Sequence, residues 1–332
     1  MAMNKRILLK SRPEGWVSEA NFELSEAALP QPREGEALVR NHWLSLDPYM
    51  RGRMNDTKSY AAKAEIGEVM VGGTVGEVLE SRDPALNTGD FVVGALGWQQ
   101  YGAAPAKSFR KIDVKAAPAQ AYLGVIGMPG VTAWIGLLTI GEPKAGETVV
   151  VSAASGAVGS AVGQIAKIKG ARAVGIAGGP AKCRYVVEEL GFDACVDYKA
   201  ASFITDLEAA TPKGVDVYFE NVGGAVLDAV IPRFNAFARM PLCGLVSQYN
   251  EADSKGLVNL RAFLTNRIKL QGFIVTEHME AWPEALKELG ALVAAGRLKY
   301  REDVAQGLEN APAAFFGLLK GRNNGKQLVK LA

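Results

Sequence analysis

The feature that most constrains the fold is the stretch VVVSAASGAVG at residues 149–159. Its apolar run is typical of a strand buried on both faces of a parallel sheet. In the following residues Val162, Ile165 and Ile168 recur near helical spacing. A buried strand, a loop of small residues and a helix therefore follow one another, as in the units of a doubly wound α/β sheet.

The loop has the pattern Ala153-x-x-Gly156-x-x-Gly159, with alanine in place of the first glycine of the common fingerprint. Glycines let the backbone approach a diphosphate closely, and the helix N-terminus offers N–H groups and the positive end of its dipole. The same spacing also occurs where glycines serve only helix–strand packing. The strand before the loop and the helix after it favour a dinucleotide site.

The end of the next strand indicates which dinucleotide is bound. NAD sites usually carry an acidic residue about 20 residues after the loop, but residues 177–179 are Ala-Gly-Gly. Lys182 and Arg184 follow, and a missing carboxylate with nearby cations suits a 2′-phosphate. We therefore expect NADP(H), with a solvated helix face as the alternative role of the two cations.

The chain has 332 residues, more than a single core usually holds, so we expect two domains. The first ~120 residues contain short strand-like runs separated by turns, which predict an irregular β-barrel or sandwich. Beyond them strands and helices alternate, which predicts a doubly wound parallel sheet with residues 267–275 as its edge strand. Residues 180–191 predict one amphipathic helix, whose apolar face is Cys183, Val186, Val187 and Leu190.

Composition excludes several classes of protein. Apolar residues make up 48% and charged residues 22%, and the net charge of +2 provides no basic surface for nucleic acid. Residues 116–141 carry no charge and are long enough to span a bilayer, but Pro129 and several glycines interrupt them, which favours buried core with a helix on both sides of the MPG at residues 128–130. Three cysteines without a regular spacing indicate a reducing compartment, so we expect a cytoplasmic protein.

The residues that could bind a metal are few. The cysteines are Cys183, Cys195 and Cys243, the histidines are His42 and His278, and no Cys-x-x-Cys occurs. A catalytic zinc needs about three such ligands and a structural zinc usually four. The sequence therefore predicts no zinc site.

Several long motifs in order now identify a family. They are LSLDPYMRGRM (44–54), MPGVTAW (128–134), AASGAVGSAVGQIAKIKG (153–170), YFENVGG, CGLVSQYN and GLLKGRNNGK. The chain resembles the medium-chain dehydrogenase/reductase superfamily, in its zinc-independent branch of prostaglandin reductases, plant double-bond reductases and bacterial curcumin reductases.

The resemblance implies a two-domain α/β fold. A GroES-like β-barrel domain, which carries substrate and catalytic residues, is expected from residues 1–124 with 301–332. A doubly wound, parallel-sheet Rossmann domain that binds NADPH is expected from residues 125–300, with the active site in the cleft. Relatives pair sheet edges, so the resemblance also implies a homodimer.

The resemblance further implies a set of NADPH contacts, some in the glycine loop and others spread along the strand ends. They are Gly156, Ala157, Val158, Gly159, Lys182, Tyr198, Asn221, Cys243, Gly244, Leu245, Val246, Ser247, Tyr249, Phe273, Ile274, Val275 and Asn323. One departure follows Asn250, where EADSKGLVNL lacks the proline-rich stretch of many relatives. Substrate range is open for that reason.

Zinc-independent hydride chemistry suits an activated C=C bond. Hydride from NADPH goes to the β-carbon of an enone or enal, and negative charge develops on the carbonyl oxygen. A neutral tyrosine hydroxyl can donate a hydrogen bond or a proton there. Tyr49 and Tyr249 are the candidates, and the ribose 2′-hydroxyl of the nicotinamide half is a third possible donor. The alternatives are an NADPH quinone oxidoreductase and a non-catalytic NADPH-binding redox sensor.

Overall fold

The computed structural model describes residues 3–251 and 256–331. The chain divides into two compact units. Unit 1 comprises Met1–Gly124, Glu302–Asn323 and Gln327–Ala332, and unit 2 comprises Val125–Arg301 and Asn324–Lys326. Each unit is therefore built from segments that are distant in the sequence.

The described residues form fifteen strands and nine α-helices. The strands are β1 Met3–Leu9, β2 Phe22–Ala28, β3 Glu36–Ser45, β4 Thr74–Ser81, β5 Phe91–Gly94, β6 Tyr101–Pro105, β7 Arg110–Ile112, β8 Thr148–Ser152, β9 Arg172–Ala177, β10 Ala194–Asp197, β11 Val215–Phe219, β12 Phe234–Leu242, β13 Lys269–Gly272, β14 Glu302–Gln306 and β15 Lys326–Lys330. The α-helices are α1 Tyr49–Arg53, α2 Met128–Ile135, α3 Ala157–Ile168, α4 Pro180–Arg184, α5 Phe203–Ala210, α6 Gly224–Val230, α7 Arg261–Thr265, α8 Trp282–Ala294 and α9 Ala311–Leu319.

Unit 1 is a β structure. Its main sheet has the order β14-β15-β3-β4-β5-β7, with β6 paired to β3, and β1 and β2 form a separate antiparallel pair. Trp98 is fully buried in the core, stacked on Phe22 at 5.3 Å between ring centroids and edge-on to Phe315 at 5.7 Å. These aromatic contacts anchor the barrel wall from which α1 projects.

Unit 2 contains a six-stranded parallel sheet in the order β10-β9-β8-β11-β12-β13. All five residues of β8 are buried, as its apolar run predicted. The strand order reverses between β8 and β11, and ligands of such sheets bind at the carboxyl ends of the strands around that point. The predicted fold class is confirmed, and β13 is the edge strand that the sequence predicted.

Two helical expectations were wrong in detail. After α4 the chain widens into a π-helical turn at Tyr185–Glu189 instead of continuing one α-helix. A π turn holds an extra residue, which rotates the apolar stripe and leaves Val187 37% exposed. Before α2, only a short 3₁₀ turn forms, at Ala119–Leu123. Within residues 3–251 and 256–331, no helix is long and apolar enough to span a membrane.

Candidate active site

The glycine loop joins β8 to α3 and has a shape that depends on its small residues. Ala153 has φ +52°, which is a left-handed conformation. Glycine adopts this conformation without strain, which explains why the common fingerprint has glycine at this position. A Cβ on Gly159 would lie 2.4 Å from the carbonyl oxygen of Ala153, so only glycine fits. The first turn of α3 presents N–H groups without acceptors inside the helix. Gly156, Ala157, Val158 and Gly159 thus form a cradle that fits a diphosphate.

The loop is held by two distant segments of the chain. The N–H of Ala154 donates to the carbonyl of Ile176 at the end of β9 (3.0 Å). The N–H of Gly325 donates to the carbonyl of Ser155 (3.1 Å), and Gly156 and Gly325 form a parallel bridge. Asn323, a predicted cofactor contact, precedes this bridge by two residues and belongs to unit 1.

The carboxyl end of β9 is a turn without acidic residues, at Gly178 and Gly179. A Cβ on Gly178 would lie 2.9 Å from the ring of Tyr198, so the bare glycine lets the aromatic ring approach the backbone. Tyr198 is 42% exposed, and Lys182 is half-buried on α4, which packs against β9 and β10. The end of β9 thus has an aromatic ring and a cation at hand for a 2′-phosphate.

The acid nearest this turn supports the backbone. Oδ1 of Asp197 accepts hydrogen bonds from the N–H groups of Gly179 (2.8 Å) and Lys199 (2.9 Å). That oxygen therefore has two donors from the protein, unlike an NAD-type carboxylate, which accepts from the ribose hydroxyls.

A buried polar cluster joins the ends of β8 and β11. Oγ of Ser152 donates to Oε1 of Glu220 (2.8 Å) and accepts from the N–H of Asn221 (2.8 Å). Nδ2 of Asn221 donates to the carbonyl of Ser152 (2.9 Å). Asn221, predicted to contact the cofactor, is fixed beside the glycine loop by these bonds.

Glu220 is the member of this cluster that the sequence analysis did not single out. It is fully buried, and burial raises the pKa of its carboxyl against the hydrogen bonds it accepts from the N–H groups of Val222 and Gly223. Its Oε2 and the hydroxyl of Tyr218 are buried and form no hydrogen bond within the described residues. An acidic residue directly after the strand-like stretch VDVYF (215–219) was the available signal.

An open pocket of about 330 Å³ lies at the carboxyl ends of β12 and β13. Six predicted site residues line it together with three that were not predicted. The predicted residues are Cys243, Gly244, Leu245, Tyr249, Phe273 and Ile274, and the others are Leu242, Gly272 and Glu277. The structure therefore brings together the predicted residues from two separate strand ends.

The loop after β12 is fastened to the end of β11. The N–H of Val246 donates to the carbonyl of Asn221 (3.1 Å), and both the N–H (3.0 Å) and the hydroxyl (2.6 Å) of Ser247 donate to that of Val222. The hydroxyl of Tyr249 accepts from the N–H of Leu245 (3.3 Å). The phenol is thereby held at the pocket wall.

Two further residues complete the pocket's chemistry. Burial, and next the charge of Glu220, raise the pKa of the Cys243 thiol to about 12, so it stays protonated. The carbonyl of Val275 accepts a hydrogen bond from the indole of Trp282 (3.0 Å), which fixes the chain after Phe273 and Ile274. The wall is therefore mostly apolar, and Glu277 is its acidic member.

Tyr49 belongs to unit 1 and is the first residue of α1. Burial first, and then the charges of Asp47 and Tyr60, raise its pKa well above the usual value, while Arg53 opposes them. The hydroxyl therefore remains a neutral donor at all ordinary pH values. The carboxylate of Asp47 accepts a hydrogen bond from the hydroxyl of Ser45, which braces the turn before α1.

Chemically, unit 2 offers a phosphate cradle, a turn that could take a ribose phosphate, and a mostly apolar pocket with a fixed phenol. Among the described residues, no group of three or more histidine, cysteine or acidic side chains is arranged to hold a metal ion.

These features define a medium-chain dehydrogenase/reductase, and the chain belongs to that superfamily. Residues 5–112 match the family described as N-terminal domain of oxidoreductase, and residues 157–291 match the family described as zinc-binding dehydrogenase.

Among its relatives, the chain is 48% identical to the NADPH-dependent curcumin reductase of Escherichia coli (99% of this chain, 97% of the relative). It is 42% identical to the NADP(+)-dependent 2-alkenal reductase of Nicotiana tabacum (99% and 98%). The crystal structure of CurA from Vibrio vulnificus in complex with NADPH is similar, with a TM-score of 0.95 and 47% identity over 99% of both chains.

Proposed function

We propose that this protein is an NADPH-dependent reductase of the C=C bond of α,β-unsaturated ketones and aldehydes. The observation that carries the proposal is the cradle around Gly159 combined with the acid-free turn at residues 177–179, which fits a phosphorylated dinucleotide. The names of the relatives, an NADPH-dependent curcumin reductase and a 2-alkenal reductase, support the substrate class.

The cofactor residues are assigned by the part of NADPH that each would hold. Residues 156–159 bind the diphosphate, Lys182 and Tyr198 bind the 2′-phosphate, and Asn221 with Asn323 bind the ribose or nicotinamide half. The loop at residues 243–249 and the segment 273–275 hold the nicotinamide. On this proposal residues 125–300 are the NADPH-binding domain, and residues 1–124 with 301–332 are the substrate domain.

NADPH supplies the hydride that is added to the β-carbon. The protein's task is to stabilise the charge that develops on the substrate's carbonyl oxygen and to deliver a proton to the α-carbon. Tyr49 and Tyr249 are neutral phenols suited to these tasks, because a donor for a developing oxyanion must keep its proton.

The proposal also covers the oligomeric state and the cellular location of the protein. Edge strand β13 and the exposed apolar residues Val258, Leu260 and Leu264, which are 79%, 63% and 80% exposed, support a homodimer formed by this edge. We name these three residues the leucine patch. The sparse, unpaired cysteines support a cytoplasmic location.

The first experiment follows NADPH oxidation at 340 nm with enals, enones, curcumin, a simple quinone and an aliphatic aldehyde, with NADH in parallel. Product masses identify saturated ketones or aldehydes. We expect enone reduction with NADPH preferred over NADH. Turnover of the quinone alone makes the protein a quinone oxidoreductase, and NADPH binding without any turnover makes it a binding protein.

A second experiment tests the 2′-phosphate assignment. Lys182→Ala should raise the KM for NADPH about tenfold, because a charge-assisted phosphate contact contributes roughly 1.5–3 kcal/mol. The KM for NADH, which lacks that phosphate, should change little. Arg184→Ala is the matched control, because it also removes one positive charge from α4 but at an exposed residue. An equal rise for both cofactors contradicts the assignment.

A further inference from the structure

Two of the three cysteines are in contact close to the turn that the 2′-phosphate is proposed to occupy. The side chains of Cys183 on α4 and Cys195 on β10 interact with each other, and α4 packs against β10. Cys195 pairs with Gly175 of β9, and a Cβ on Gly175 would lie 3.2 Å from Sγ of Cys195 and 2.9 Å from Val186. Sγ of Cys195 therefore points to the face of the sheet that α4 and its continuation cover.

We propose that Cys183 and Cys195 form a reversible disulfide on exposure to a hydroperoxide, and that this bond weakens NADPH binding. The second half of the proposal rests on the proposed function, in which Lys182 and Tyr198 bind the 2′-phosphate. Lys182 is adjacent to Cys183, and Tyr198 follows Cys195 by three residues.

The two thiols differ in a way that assigns their roles. The hydrogen bond from Cys195 holds the pKa of Cys183 below its usual value, although burial and the charge of Asp197 oppose it. The same hydrogen bond, then burial, raises the pKa of Cys195. Cys183 is only half-buried, and thiolate character together with access governs cysteine oxidation. Cys183 is thus the attacking thiol and Cys195 the resolving one.

The reaction balances with the hydroperoxide as oxidant. The Cys183 thiolate attacks one peroxide oxygen, the O–O bond breaks, and the alkoxide or hydroxide leaves with a proton, which gives a sulfenic acid. The sulfur of Cys195 then attacks that of Cys183, the S–S bond forms and the S–O bond breaks. Hydroxide leaves with the Cys195 proton as water. Two thiols lose two electrons in total, and the peroxide gains them.

The bond requires movement at the cofactor turn. Sulfur atoms in a disulfide are about 2.05 Å apart, closer than in any hydrogen-bonded thiol pair. Formation must therefore draw α4 towards β10. Because Lys182 is on α4 and Tyr198 directly follows β10, the spacing between the proposed phosphate ligands changes. NADPH should lose affinity, whereas NADH, without the 2′-phosphate, should be less affected.

The test treats the full-length protein with hydrogen peroxide and measures intact mass and non-reducing peptide maps. We expect a loss of two hydrogens, a peptide cross-link between Cys183 and Cys195, and reversal by dithiothreitol. The Kd for NADPH, measured by nucleotide fluorescence, should rise at least threefold on oxidation, with a smaller change for NADH.

Variants locate the effect. Cys183→Ser and Cys195→Ser should each form no cross-link and show no peroxide-dependent change in NADPH affinity, whereas Cys243→Ser should still form the cross-link. Addition of oxygen without a cross-link overturns the disulfide, and a cross-link with unchanged NADPH affinity overturns the link to the cofactor. The mass readout is independent of catalysis, so failure of the proposed reductase activity remains a separate result.

Discussion

At the scale of single residues, both units contain buried titratable groups whose charged forms are disfavoured. Tyr49, Cys243 and Glu220 all have pKa values raised chiefly by burial. For the phenol this keeps a proton available to a developing oxyanion. For the thiol it suppresses the nucleophilic thiolate beside a substrate class that consists of electrophiles.

The phenols make the first prediction. Tyr49→Phe and Tyr249→Phe should each lower kcat by about 10²-fold, the lower end of the range for loss of a positioned proton donor. Tyr122→Phe, at a partly buried phenol that donates to the carbonyl of Asp113 (2.8 Å), is the control and should change kcat less than twofold. Steady-state kinetics with one enone measures all three, and full activity in both test variants would contradict the assignment.

The raised pKa of Tyr49 also sets a pH expectation. Because its folded pKa lies above the ordinary value of 10, the neutral donor persists beyond that pH. No loss of kcat through Tyr49 ionisation should be seen up to pH 10. A kcat profile that falls with an apparent pKa of 8–9 in wild type, and not in Tyr49→Phe, would overturn this view.

Glu220 predicts a pH-dependent stability. Its folded pKa is raised above the unfolded value of about 4.5, so the folded state binds more protons and stability falls as pH rises above that value. Glu220→Gln keeps the acceptor oxygen and lacks this titration. Its Tm relative to wild type should therefore increase from pH 5 to pH 8. Glu220→Ala, which leaves several N–H and O–H donors unpaired, should lose roughly 2–4 kcal/mol at both pH values. A pH-independent Tm difference for Glu220→Gln would contradict the proposed protonation.

At the scale of elements, the site is a set of strand ends tied to each other. β8, β11 and β12 are joined by Ser152, Glu220 and the loop after Leu242, since the carbonyl of Glu220 accepts from the N–H groups of Cys243 and Gly244. The loops that we propose to face the cofactor are therefore positioned by the sheet itself. A substitution at one strand end should therefore alter the positions of the neighbouring loops.

Substitutions at two glycines test whether NADPH binding depends on the shape of the glycine loop. Gly159→Ala places a Cβ 2.4 Å from the Ala153 oxygen, so it should cost about 1–3 kcal/mol and abolish tight NADPH binding. Gly290→Ala, inside α8 with nothing within 4 Å of its Cβ, should instead stabilise by about 0.5–1 kcal/mol and leave binding intact. Urea unfolding and nucleotide fluorescence measure both. Equal behaviour of the two variants would show that the loop has no special shape.

The sequence was informative for elements whose signal is local. The continuous valines of β8 and the small residues after it predicted a strand and loop, because a strand buried on both faces must be apolar throughout. Glu220 escaped prediction because its burial depends on donors from Ser152 and Gly223, which the fold supplies. The bond between Gly325 and Ser155 was invisible for the same reason, since it joins residues far apart in the chain. The π turn after α4 has no sequence signature that the apolar spacing revealed.

At the scale of the whole molecule, neither unit is a continuous piece of chain. Unit 2 takes Asn324–Lys326 from a segment that otherwise belongs to unit 1. The two edges of its sheet also differ, because the exposed leucine patch lies a few residues before β13 in the chain, whereas β10 is covered by α5. An exposed parallel edge with apolar neighbours is suited to pairing with a second copy.

The dimer prediction is tested at this edge. Leu264→Glu, at a residue 80% exposed on α7, should convert the homodimer to monomer, because burial of an unpaired carboxylate opposes association. Ile204→Glu, 54% exposed on α5 at the opposite edge, should leave the dimer intact. Light scattering after size exclusion measures both. A wild-type monomer at micromolar concentration would refute the proposal.

The bridge between Gly325 and the glycine loop has a consequence for biosynthesis. Gly325 follows Ser155 by about 170 residues, so at 5–20 residues per second the ribosome needs on the order of ten seconds or more to deliver it. A nascent chain that already contains all six parallel strands still lacks this support. Cofactor capture should therefore come only after Gly325 has been synthesised, and not as soon as the parallel sheet is complete.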